Sequence, residues 1–168
     1  MIRAAVLAAG LLAAAPAAAQ QAGGELSAIA QAAAQRGIRT CLPAIDRLAK
    51  NLSASFDIGI FLFNQVERPD SGLVSISMEL SPAPSGAGSA YVSASFVPVG
   101  DAACQVMVES TMYWTNRCVT VGVGYQNYQV VGTLLKEIGI LSDGGTQRLF
   151  LVPAGTSGCV SVEKSVYF

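Results

Sequence analysis

Four cysteines, Cys41, Cys104, Cys118 and Cys159, and a complete absence of histidine limit the chemistry open to this chain. None of the cysteines is spaced as CxxC, and without histidine the commonest transition-metal ligand is missing, so a metal centre is not expected. The same absence removes the usual general base and the centre of Ser-His and Cys-His nucleophilic machinery. Carboxylates alone could do glycosidase work, and Glu109, Glu137, Asp143 and Glu163 are the candidates. Glu137 and Glu163 stand beside Lys136 and Lys164, however, as solvated strand faces usually do. No Ser-x-x-Lys occurs, and Gly122 and Gly124 form a GxG that lacks the third glycine of a dinucleotide fingerprint. No catalytic residue and no cofactor is expected.

Binding chemistry has a better candidate in Tyr113, Trp114, Tyr125 and Tyr128, which crowd into sixteen positions. Tyr and Trp combine a large apolar area with a hydrogen-bonding tip, which suits a protein surface or a saccharide. The competing assignment makes Trp114 a core residue, since it alternates in step with Val106 and Val108, with the tyrosines covering it.

What must position these residues starts with an exported chain. Met1, Ile2 and Arg3 form a short cationic head, Ala4 to Ala15 an apolar run, and Ala17 and Ala19 the small residues a signal peptidase accommodates. The pattern predicts a signal peptide over residues 1–19 and a single globular domain over 20–168. The apolar run is shorter than the roughly 20 residues that cross a bilayer, so no stable membrane insertion is expected after cleavage. Loss of Arg3 leaves 9 of the 10 basic residues against 11 acidic ones, and no basic run exists to follow a phosphate backbone, which argues against nucleic acid. Charged residues are only 12% of the chain, so electrostatic steering of a partner is weak.

Helical signals come first and strand signals follow. Residues 24 to 36 favour a helix stopped by Gly37. A second helix is marked by Thr40 as its cap, Pro43 in its first turn and a stripe of Cys41, Ile45, Leu48 and Leu52. After Ser53 the period changes to two. Strands are predicted over Phe56 to Val66, Leu73 to Leu80, Tyr91 to Val97, Ala103 to Thr115, Leu134 to Leu141, Gln147 to Val152 and Gly158 to Phe168, the last three forming a meander. Asn116 to Tyr128 reads as a short helical turn and a glycine loop. The sequence shows no internal repeat. The expected architecture is α+β, with one or two N-terminal helices packed on an antiparallel sheet of about seven strands and two disulfides.

An even number of cysteines in an oxidising compartment reads as two disulfides. A straight strand from Ala103 to Thr115 spans roughly 40 Å, which keeps Cys104 and Cys118 apart. Cys41 and Cys104 lie on apolar faces, whereas Cys159 alternates with Ser161 and Glu163, off an expected core stripe of Val160, Val162, Val166 and Phe168. That favours Cys41 with Cys104 and Cys118 with Cys159. Cys41 with Cys118 and Cys104 with Cys159 remains the alternative should the last strand run parallel to the long one.

The stretch Ser71-Gly72-Leu73-Val74, followed by Ser85-Gly86, Gly88-Ser89 and Tyr91, resembles the strand and Ser-Gly-Tyr loop of periplasmic lysozyme inhibitors. In that family a Ser and a Tyr enter the lysozyme cleft, so the resemblance implies Ser89 and Tyr91 as contacts on a Ser85 to Tyr91 loop. The leading expectation is a periplasmic or secreted binding or interaction protein without catalytic activity, its partner a protein or a saccharide. A periplasmic hydrolase inhibitor is the alternative.

Overall fold

The computed structural model describes residues 25–82, 88–100 and 103–167. The predicted signal peptide and its cleavage point lie outside them. Three helices, α1 (Ala28–Gln35), α2 (Leu42–Ser53) and α3 (Cys118–Gly124), accompany eight strands. The strands are β1 (Asp57–Asn64), β2 (Val74–Ser81), β3 (Ala90–Val99), β4 (Ala103–Trp114), β5 (Gln129–Leu134), β6 (Ile138–Ser142), β7 (Gln147–Ala154) and β8 (Gly158–Tyr167).

Helix α1 begins where the Ser27 hydroxyl accepts from the Ala30 amide, and it ends at Gly37, whose φ of +84° a side chain rarely tolerates. The predicted Thr40 cap is not made. Cys41 holds the N-cap position of α2 without a side-chain hydrogen bond, and the Asp70 carboxylate instead accepts from the Arg39 and Thr40 amides at 2.7 and 2.6 Å. These bonds, made from about thirty residues away, hold the turn that precedes α2 and leave no local trace in the sequence.

All strand pairs are antiparallel, in the order β1-β2-β3-β4-β8-β7-β6-β5. Two four-stranded meanders therefore meet edge to edge at β4 and β8. The eighth strand arises because Leu134 to Leu141, expected as one strand, folds into a hairpin: Leu135 adopts φ of +52°, and Leu134 pairs with Ile138. Residues 129–133 of β5 fall between the predicted glycine loop, which ends at Tyr128, and the predicted strand, which begins at Leu134.

Each half follows one plan, although no sequence repeat announces it. A helix precedes a four-stranded meander, and a disulfide ties the start of the helix to the second residue of the fourth strand. Cys41 at the head of α2 joins Cys104 in β4, and Cys118 at the head of α3 joins Cys159 in β8, with Cα atoms 5.2 and 4.9 Å apart. This is the favoured pairing.

All three helices lie on the same side of the sheet. One core forms between α1, α2 and β1 to β4 around Ile38, Ile45, Val74, Ile76 and Phe96, and a smaller one joins Val121 of α3 to Leu141, Leu149, Leu151 and Cys159. Trp114 touches both. Gly122 allows α3 to sit close, since a Cβ there would come within 3.3 Å of the Leu151 side chain.

Candidate interaction surface

The covered side of the second half gathers most of the predicted aromatic group. The Trp114 indole donates to Ser161 Oγ at 2.7 Å, and the Tyr125 and Tyr128 rings meet edge to face at 5.5 Å. Tyr128 donates its hydroxyl to Gln147 Oε1 at 2.8 Å and lies 3.5 Å from Glu163 Oε1. Burial, reinforced by the charges of Glu163 and Asp143, pushes the Tyr128 phenol up to about 12. Burial also raises Tyr125, against the opposing effect of the Ser161 hydroxyl. It raises the Glu163 carboxyl too, against the opposing effect of the Tyr128 hydrogen bond. Both phenols hold their protons at neutral pH. Trp114, Tyr125 and Tyr128 pack against the core of this half, so their aromatic area is largely spent on folding.

Tyr113 points the other way. It is 50% exposed on the opposite face, where it lies over Gly158: a Cβ at that glycine would fall 2.9 Å from the Tyr113 hydroxyl. Tyr91 is also on this open face, sharing a 2.9 Å hydrogen bond with Ser77 of the neighbouring strand. Ser89 donates to Glu79 Oε1. Residues 83–87 of the Ser85 to Tyr91 loop lie outside those described, and the two residues the resemblance singled out are both engaged with β2. The six aromatic and serine candidates thus fall on two faces of the sheet and do not form one site.

The last strand corrects the sequence reading more sharply. Register places Cys159 opposite Trp114 and Ser161 opposite Met112, so Cys159, Ser161, Glu163 and Ser165 face the helices, with Cys159 and Ser161 fully buried. Val160, Val162 and Val166, expected in the core, stand on the open face. Alternation separates two faces of a strand but does not say which one is covered. Here the covered row is small and polar because Trp114, Tyr125 and α3 fill the space above it, and the apolar row looks outward.

That outward row continues across the sheet. Val162 pairs with Phe150, and Phe150 with Ile140, while Val160 pairs with Tyr113 and Val166 with Met107. In the first half the matching rows of β2 and β3 carry Ser75, Ser77, Glu79, Tyr91, Ser93 and Ser95, ending in Val97 and Val99, and the β1 edge adds the exposed pair Phe61 and Phe63. Glu109 and Lys164 mark the junction, bridged at 2.6 Å. Arg148 turns its guanidinium to the Gly145 and Gln147 carbonyls, both at 2.7 Å. Among the described residues, no helix packs on this side.

Comparison with known families, with curated proteins and with solved structures finds no match for the chain. Among the described residues no group of three or more His, Cys, Asp or Glu side chains is placed to hold a metal ion, and no helix is long and apolar enough to cross a membrane.

Proposed function

We propose that this chain is an exported interaction protein without catalytic activity, acting in the periplasm or outside the cell through the open face of its sheet. One observation carries the reading: a sheet helix-covered on one side leaves a continuous apolar area of β4 to β8 on the other. Contiguous exposed apolar surface on a protein of this size marks an interaction site. Two disulfides suit an oxidising compartment, and the N-terminal signal pattern suits export. The low charge of the surface favours contact through shape and apolar area over electrostatic steering.

The test is capture of a partner by the immobilised mature protein from the exported fraction of its source cell, compared with Val162→Lys on the open face and Val123→Lys on the outer side of α3. Capture should fall at least tenfold with Val162→Lys and stay unchanged with Val123→Lys. A partner held equally by both variants would place the interaction elsewhere, and one released only by soluble saccharide would make this a carbohydrate binder.

A further inference from the structure

We infer that the partner on the open face of β4 to β8 is a second copy of this chain, stacked sheet to sheet in a symmetric dimer; this rests on the open face being the interaction surface. Size is the first argument. Five strands about 4.8 Å apart and about seven residues long outline roughly 24 by 23 Å, on the order of 550 Å² in flat projection. Side chains standing proud of the sheet raise the accessible area above that projection. A standard interface takes about 800 Å² from each partner, so this face is of the right order for a stable dimer.

Charge is the second argument. Glu109 and Lys164 already neutralise each other, and the exposed Arg148 guanidinium, held by carbonyls of its own turn, stands at the start of β7 on the margin of the face, where stacking leaves it in water. An apolar centre whose one uncompensated charge lies at its margin is complementary to itself, which is what a two-fold interface requires. With 9 basic and 11 acidic residues the mature chain carries a formal net charge of about −2, which also leaves little repulsion between copies. Two apolar sheet faces pack about 10 Å apart, the spacing of a β-sandwich. Val162, Phe150 and Ile140 would then lie at the centre, with the serine rows of β2 and β3 left in water.

Sedimentation velocity of the oxidised mature protein from 1 to 100 µM (roughly the range that brackets a dimer of this size) is the test. The expected result is a dimer whose dissociation constant rises at least tenfold in Val162→Lys and is unchanged in Val123→Lys. Met107→Lys, at a site 42% exposed at the margin of the face, gives the same answer should Val162→Lys fail to fold. A monomer at 100 µM, or a dimer insensitive to both face variants, overturns the inference. A monomer whose capture of another protein is abolished by Val162→Lys overturns self-association but keeps the interaction surface, whereas a monomer with capture untouched overturns both.

Discussion

Seventeen buried apolar side chains fill the core between α1, α2 and β1 to β4, whereas five fill the core beneath α3. The difference follows from the helices. In the first half a pair of helices covers the sheet with Ile29, Ala30, Ala33, Ile45 and Ala49, and the outer rows of β2 and β3 are rich in serine, while the β1 edge carries the exposed pair Phe61 and Phe63. In the second, α3 has seven residues and one buried side chain, Val121, and its outer valines, Val119 and Val123, are about 70% exposed. The small helix is supplemented by Trp114, Tyr125 and Tyr128, and the surplus apolar area of β6 to β8 is displaced to the opposite face. One plan with a larger lid and a smaller lid thus leaves a serine-rich middle on the outer face of the first half and an apolar outer row in the second.

The strongest way to break this comparison is to remove the disulfides in turn. Chain-entropy arguments give about 4 kcal/mol for each, with the 63-residue separation of Cys41–Cys104 favoured by only a few tenths of a kcal/mol over the 41 of Cys118–Cys159. Cys159, expected off the core stripe, is fully buried, so the burial of the two bridges does not separate them. Both double alanine variants should lose similar total stability in denaturant titration. They should differ in where: hydrogen exchange should rise in α3 and β5 to β7 alone for Cys118→Ala with Cys159→Ala, because so short a helix keeps little else to hold it. Uniform exchange in that variant would mean the second core is self-sufficient.

A smaller effect tests the use of the aromatics. Trp114→Phe and Tyr128→Phe each delete one part-buried hydrogen bond and should each cost about 1 kcal/mol in thermal or chemical unfolding, without changing association through the open face. Were these rings free binding groups, stability would not change and partner binding would fall.

The smallest effect is in acid, where the halves should oppose each other. Asp70 is held below the usual aspartate range, chiefly by the amides of Thr40 and Arg39, so its contribution exists above its unfolded value and is lost as pH falls through the folded one. Glu163 is raised by burial, so its ionisation opposes folding above its unfolded value, and protonation relieves that as pH falls through the raised one. Asp70→Asn should therefore flatten the loss of stability below about pH 4. Glu163→Gln should raise the melting temperature at pH 7 and leave it unchanged at pH 3. Parallel pH profiles for the two variants would contradict the assigned environments.

Much of the fold was legible in local chemistry. The apolar stripe of α2, the inward rows of Val74 to Leu80 and Val92 to Phe96, and the length of β4 are periodicities that the backbone geometry of each element imposes directly on the residues. The split of Leu134 to Leu141 was hidden because the turn uses Leu135 and Lys136, which carry no turn signature. The repeated plan was hidden because topology and two cysteine positions are shared while the side chains around them are not.

By itself the sequence determined that the chain has two helical segments followed by alternating strands, four cysteines without metal-ligand spacing, no histidine base and little surface charge. Only the tertiary structure decided which face of β8 is inside, that the aromatic group is divided between core and surface, and that the second half presents its valines outward. Side-chain alternation is a property of one strand, but burial belongs to the whole sheet, since it depends on where the helices land. A seven-residue helix on one side and none on the other inverted the expected inside and outside of the last strand.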